Sequence, residues 1–393
     1  MDKDLPIKTI YYVTSGILDA YKVSTIHIDE ICTNFAKLKH KVVLYAPLPG
    51  SFKQPDSYQI KYCSSSRFRL IFFFQIRLFL QLLVDTFRNK PWIIYVRYNE
   101  LLFVPVLIGK IVGIPVVLEI NGLPIEELRR IDRTLLTRIL LALGVIDFIE
   151  FINVKLASGM IVVTPGIKKY FVEKYILDQQ KISVIANGVN TKLMSPLSAA
   201  ESRSKLGLDE SVLYVGYVGS LLPWQGLRFM AEAALRVCAE HPDVNFLIVG
   251  DGEEADYLSS FIKKNGLEKR IEMRSSVSHD LVPYYINAMD ICISYPDKFR
   301  NGVTSPFKIF EYLACAKPVV SSDIAGIREY FGNVLCYAEP ESSESLASVL
   351  LSLIENKAVR DYLGLNGRKF VVEGHSWELV TKQILDYCQK IIK

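Results

Sequence analysis

Short apolar runs rich in Val and Ile recur along the chain, separated by longer amphipathic stretches. In the first half they are Ile7–Val13, Lys41–Ala46, Trp92–Val96, Pro115–Ile120 and Met160–Thr164; in the second, Val212–Val218, Asn245–Val249, Asp290–Ser294 and Pro318–Ser321. Their apolar positions are consecutive rather than alternate, which predicts parallel strands buried on both faces. The stretches between them are long enough for crossover helices. The pattern therefore predicts an α/β protein of two doubly wound domains.

Asn187-Gly188-Val189-Asn190 carries an Asn-Gly turn, and the polar stretch Ser195–Ser204 follows it before the second strand series begins. This places an N-terminal domain over 1–190 and a C-terminal domain over 191–375. Residues 376–393 read as a helix capped by Ser376, with Trp377, Val380, Ile384 and Tyr387 at helical spacing. Such a helix can pack back on the N-terminal domain. No repeat of short period and no low-complexity segment interrupts the picture.

Composition sharpens it in a few respects. The 393 residues are 50% hydrophobic and 22% charged, enough for two sizeable cores and unlike a disordered chain. The net charge of +4 is too mild to call for nucleic acid as a partner, though a nucleotide or an anionic membrane suits it. Seven cysteines stand singly with no Cys-x-x-Cys, so they read as buried thiols of a reducing compartment. The five histidines show no metal-ligand spacing. Met1-Asp2-Lys3-Asp4 lacks the pattern of a secretory signal, and no apolar run is long enough to span a bilayer. A cytoplasmic protein is expected, soluble or peripheral at the membrane.

The segment Ser64–Lys90 bears on that last choice. It holds Arg67, Arg69, Arg77, Arg88 and Lys90 against one acid, Asp85, interleaved with Phe68, Phe72, Phe73, Phe74 and Phe79. Arg77, Gln81, Asp85 and Arg88 form a narrow polar stripe on an otherwise apolar helix. The expectation is a core helix packed on the first sheet, with its Arg67–Phe74 end as a peripheral membrane contact. Leu135–Val154, interrupted by Arg138, Asp147 and Glu150, reads as a packed helix.

Two motifs offer chemistry. Val215–Gly226 runs from a strand through a glycine loop toward a helix, and backbone amides at such a turn can receive an anion. It is neither a P-loop nor Gly-x-Gly-x-x-Gly, and a plain tight turn is the bland alternative. The second motif is Asn301–Val320. Thr304 or Ser305 can cap a helix with Pro306 in its first turn. Lys308 then stands where the helix dipole disfavours a cation, unless an anion docks against the same end. Glu311 lies on the same face, able to pair with Lys308 or to accept from sugar hydroxyls. An exposed Lys–Glu pair on a surface helix is the bland alternative here.

The order and spacing of these pieces resemble the retaining, GT-B-fold glycosyltransferases of family 4. The matching segments are Ile94–Tyr98, Leu118–Gly122, Ile185–Asn190, Gly219–Gly226, Ile248–Gly252 and Glu311–Val320, covering nearly the whole chain. The resemblance implies two Rossmann-like domains facing across a cleft, the N-terminal one binding the acceptor and the C-terminal one a nucleotide-diphosphate sugar. It implies donor contacts at Gly219, Ser220, Gln225, Gly226, Ser305, Pro306, Phe307 and Glu311. The acceptor would be a glycan or a polyprenyl-linked glycan of envelope polysaccharide assembly.

The sequence departs from the family in two places. Ser220 and Gln225 stand where an Arg and a Lys commonly hold the diphosphate, and Val303 where the first of two glutamates would be. Ser305–Tyr312 fits a Ser-Pro-x-Lys-x-x-Glu-Tyr variant, so Lys308 and the amides of Ser305–Phe307 are expected to stabilise the leaving diphosphate. No metal or other cofactor is expected, because the one Asp-x-Asp, Asp2-Lys3-Asp4, precedes the first strand. Asn121 matches a position that is often His in relatives and faces the donor sugar. The resemblance implies a front-face mechanism in which the leaving phosphate takes the acceptor's proton, with Lys308 and Asn121 as catalytic candidates. A nucleotide-sugar epimerase of the same shape and a non-catalytic partner subunit are the alternatives.

Overall fold

The computed structural model describes residues 7–20, 22–63, 71–130, 135–303 and 305–392. Asp2-Lys3-Asp4, Thr304 and the Arg67–Leu70 part of the expected membrane contact lie outside them. Every apolar run expected to be a strand forms one, and the strands divide between two sheets, parallel throughout. The first contains β1 (Thr9–Val13), β2 (Lys41–Ala46), β3 (Gln59–Tyr62), β4 (Ile93–Arg97), β5 (Val116–Ile120), β6 (Gly159–Val162) and β7 (Ile182–Val184). The second contains β8 (Leu213–Val218), β9 (Val244–Val249), β10 (Ile271–Arg274), β11 (Ile291–Ser294), β12 (Val319–Ser322) and β13 (Cys336–Ala338).

Their orders are β3-β2-β1-β4-β5-β6-β7 and β10-β9-β8-β11-β12-β13. Chain order reverses between β1 and β4 in the first sheet and between β8 and β11 in the second. Such switch points open a crevice at the carboxyl ends of the strands. The strands missing from the hydrophobic pattern, β3, β7, β10 and β13, are the four edges. An edge strand is covered on fewer sides and so needs no continuous apolar run. Gln59-Ile-Lys-Tyr62 and Ile271-Glu-Met-Arg274 alternate instead.

The compact units are Met1–Ala186 with Trp377–Lys393, and Asn187–Ser376. The division falls at Asn187 rather than after Asn190. Val189 donates its N–H to the His375 carbonyl and bridges Ser376, which ties the Asn-Gly turn to the second unit. The terminal helix Trp377–Ile392 buries Trp377, Val380, Ile384 and Tyr387 in the first unit. Its Trp377 ring meets His27 edge-on, and the Tyr387 hydroxyl accepts from the Met160 amide at 3.0 Å.

The helix Ile71–Arg88 packs through Phe74, Leu78 and Leu82 as a core helix is expected to, but its polar stripe does not all face outward. Asp85 is buried and accepts from Lys61 Nζ at 2.7 Å, the Tyr45 hydroxyl at 2.8 Å and Gln81 Nε2 at 2.9 Å. The middle of the polar stripe therefore faces protein. The exposed face carries Phe73, Ile76, Leu80, Val84 and Phe87, the last 76% exposed. Leu135–Val154 also differs from expectation: it forms two helices, Leu135–Ala142 and Val145–Leu156, and the first buries none of its residues. Six of the seven cysteines are buried, and none is in a disulfide. No described helix is long and apolar enough to cross a membrane.

Candidate active site

In the second unit, β8 ends at the switch point and the chain turns through Gly219-Ser220 and a short 3-10 turn, Pro223–Gln225, into the helix Leu227–Glu240. The helix Phe307–Ala314 starts beside this loop. Tyr312 ties the two elements together: its hydroxyl accepts from the Val218 amide at 2.8 Å and donates to the Val218 carbonyl at 3.1 Å. Lys308, on the same helix, reaches the strand end. Its Nζ donates to the Tyr217 hydroxyl at 2.6 Å and to Gln225 Oε1 at 2.7 Å, and the Tyr217 hydroxyl donates to the Ser220 carbonyl at 2.7 Å.

Lys308 is buried at 9% exposure, and both hydrogen-bond partners of its ammonium are neutral. Burial outweighs the nearby charge of Glu311 and, with a smaller contribution from Arg300, lowers its pKa to about 7. The loop admits this side chain because residue 219 has none: at φ +152°, a Cβ there would lie 3.0 Å from Lys308 Cε. Gly226, at φ +67°, closes the turn against the Tyr295 carbonyl, which a Cβ would meet at 2.0 Å. The Ser220 side chain is exposed.

The helix begins at Phe307, with Pro306 at the cap position and no side chain capping it. The Ser305 carbonyl accepts from Asn187 Nδ2 at 2.9 Å, so a residue of the Asn-Gly turn braces the segment leading into the helix. Beneath it, Phe310 packs with Tyr330, Phe331 and His375 at ring separations of 6.2, 5.1 and 5.2 Å. Glu311 does not pair with Lys308. Its Oε1 lies 3.0 Å from His279 Nε2, and both side chains are partly exposed.

The structure thus gathers Lys308, Gln225, Gly219 and the Ser305–Phe307 segment, with Gly226 shaping the turn. Sequence reading missed Tyr217, His279 and Asn187. Asn187 was visible only as a turn residue, and nothing in the chain joined His279 to Glu311.

Asn121 belongs to the other unit, directly after β5. Its Nδ2 donates to Glu119 Oε1 at 3.3 Å. Glu119, only 3% exposed, also bonds His27 and accepts from the Tyr12 hydroxyl at 3.1 Å. Burial pushes its carboxyl upward, but His27, Arg97 and Asn121 outweigh that and hold it down at about 2. The carboxylate is ionised and its acceptor capacity is well used.

Two parallel sheets of this kind define a doubly wound α/β architecture, and comparison with known proteins gives its class. The model for Glycosyltransferase Family 4 matches residues 24–193, and that for Glycosyl transferases group 1 matches residues 198–370. The chain belongs to the group 1, family 4 glycosyltransferases, and its fold is GT-B. It is 22% identical over 249 residues to an uncharacterized glycosyltransferase of Methanocaldococcus jannaschii, covering 61% of this chain and 62% of that one. It is 22% identical over 295 residues to the alpha-D-kanosaminyltransferase of Streptomyces kanamyceticus, covering 74% of each. The chain therefore spans less than two thirds of the archaeal relative's length. Among solved structures, Anabaena Alr3699/HepE in complex with UDP and glucose aligns with a TM-score of 0.76 at 18% identity, over 98% of this chain and 100% of that one.

Proposed function

We propose that this glycosyltransferase moves a sugar, with retention and without a metal, from a nucleotide-diphosphate donor to a glycan or lipid-linked acceptor of envelope polysaccharide synthesis. The observation that carries the donor site is Lys308. A buried ammonium at a helix start, bonded only to neutral groups, is a receptor for an anion. Gln225 stands where relatives commonly have a lysine, and the Lys308 ammonium lies beside it. The cation missing from the loop is supplied by the facing helix, which favours a working enzyme over a non-catalytic subunit. The HepE complex with UDP supports a nucleotide donor by analogy.

In this reading the diphosphate enters over Gly219, where no side chain covers the Lys308 ammonium. Lys308 and the amides leading into Phe307–Ala314 neutralise the charge that grows on the leaving phosphate, with Ser220 and Gln225 as neutral donors. Glu311, held by His279, receives the ribose hydroxyls. The departing phosphate oxygen takes the acceptor's proton, so no separate protein base is required. A thermal-shift panel of UDP, GDP, ADP and their common sugars, with and without EDTA, tests this. Stabilisation by one nucleotide family, unchanged by EDTA, is expected. An EDTA-sensitive shift would overturn the account of the leaving-group charge, and no shift at all would overturn the donor site.

The acceptor is membrane-borne in this proposal, which the first unit's surface supports. The helices Ile71–Arg88, Val104–Val112, Val145–Leu156 and Leu135–Ala142 pack in succession. They expose Phe73, Leu80, Phe87, Ile111, Leu135 and Phe148, each above half. The charged side chains exposed on the first two helices and on Leu135–Ala142 are all basic: Arg77, Arg88, Lys110 and Arg138. An apolar face with basic flanks fits an anionic bilayer surface. Sedimentation with phosphatidylglycerol vesicles, weakened by Phe87→Glu and by salt, is the expected result. Equal sedimentation of wild type and variant would refute it.

A further inference from the structure

The first unit contains a cavity of about 180 Å³ that the donor site does not use. It lies at the carboxyl ends of β1 and β4, the strands between which the first sheet reverses its order. Arg97, the last residue of β4, lines it. Its Nη1 is buried and, among the described residues, has no hydrogen-bond partner. The neighbouring carboxylate does not fill that role: Glu119 is taken by His27, Tyr12 and Asn121. The rest of the lining supplies further donors. The Thr14 hydroxyl accepts from the Gly16 amide at 3.1 Å and keeps its own proton to donate. Ser15 and Ser24 add two hydroxyls, and no acidic side chain lines the space.

A guanidinium desolvated on one side and surrounded by hydroxyl donors lacks an acceptor, and a planar or tetrahedral oxyanion matches its fork. The Glu119 carboxylate shares its charge with Arg97 without hydrogen-bonding it, so the Nη1 donor is the group that a ligand oxygen would satisfy. The switch-point position is where open α/β sheets bind ligands, independently of the side chains. We infer that this cavity binds an oxyanion of the acceptor, a phosphate or a carboxylate, with Arg97 as its charged ligand. The inference rests on the glycosyltransferase reading, in which the second unit takes the donor and the first the acceptor. It narrows the acceptor to a molecule bearing such a group near the sugar that is extended. A lipid-linked glycan phosphate and an acidic sugar share this chemistry.

Calorimetric titration of the full chain tests it, using inorganic phosphate, D-glucuronate and the nucleoside diphosphate selected by thermal shift. Phosphate or glucuronate is expected to bind wild type in the millimolar range and about tenfold or more weaker to Arg97→Gln, a loss expected of one charge-assisted contact. Which anion binds identifies the source. The nucleotide should bind both proteins equally. Ser24→Phe, which fills the cavity from an exposed position, should lose the anion with the melting temperature unchanged, and it decides the matter if Arg97→Gln fails to fold. Equal anion binding by wild type and variants, or none by wild type, overturns the site. A loss of nucleotide affinity in Arg97→Gln overturns the acceptor assignment and gives the cavity to the donor. Arg97-dependent anion binding with no nucleotide binding would retain the site and overturn the transferase reading instead.

Discussion

Replacing Lys308 by Met keeps the length and flexibility of the side chain but removes the ammonium, so it isolates the charge. If the diphosphate binds only the protonated amine, and that amine titrates at about 7, the apparent dissociation constant scales with one plus the ratio of neutral to charged amine. The factor is about 2 at pH 7 and about 100 at pH 9, so nucleotide affinity should fall roughly fiftyfold across that range. Binding should take up about half a proton at pH 7 and nearly one at pH 9, readable as a buffer-dependent enthalpy in calorimetry. Lys308→Met should show a flat profile and lose a further 10²- to 10³-fold in turnover, about the value of one leaving-group donor. The unliganded protein gives a second reading. The folded pKa lies below the ordinary 10.5, so the unfolded chain holds this proton more tightly. The lysine therefore destabilises the fold at pH 7 and ceases to do so as pH rises toward 10. The gap corresponds to roughly 5 kcal/mol at most, so the stability difference between Lys308→Met and wild type should shrink with pH in urea unfolding. A wild-type affinity that is flat from pH 7 to 9 would refute the reasoning.

Other outcomes follow from the same contacts. Gly219→Ala places a methyl 3.0 Å from Lys308 Cε at a φ of +152°; it should weaken nucleotide binding about tenfold or more at a cost of about 1–3 kcal/mol in stability, measured by calorimetry and urea unfolding. Asp85→Ala leaves Lys61, Tyr45 and Gln81 facing an empty site and should cost about 3 kcal/mol in urea unfolding, as breaking a buried ion pair does. Burial lowers the His375 pKa to about 4 from the ordinary 6.5. Its neutral form thus supports the fold above pH 6.5, and up to about 3 kcal/mol is lost as pH falls toward 4. His375→Phe should flatten that part of the acid unfolding curve.

The central strands and the glycine loop were legible in the sequence because each is dictated locally. A strand covered on both faces must be apolar at every position, and a loop that lets Lys308 approach the backbone must drop its side chain at 219. The Phe307–Ala314 helix and its misplaced lysine were legible for the same reason: the cost of a cation at a helix start is a property of neighbouring residues. Tertiary structure decided the rest. Lys308 meets Tyr217 across 91 residues, Glu311 meets His279 across 32, and Asn187 braces Ser305 across 118. No periodicity encodes such pairs. The helix Ile71–Arg88 shows the limit most clearly. It is apolar nearly all round, so the pattern does not say that Phe74, Leu78 and Leu82 are buried while Phe73, Leu80 and Phe87 are exposed, and remote partners, Lys61 and Tyr45, draw Asp85 inward. Local patterning specifies elements and their strained positions; which groups face one another follows from how those elements pack.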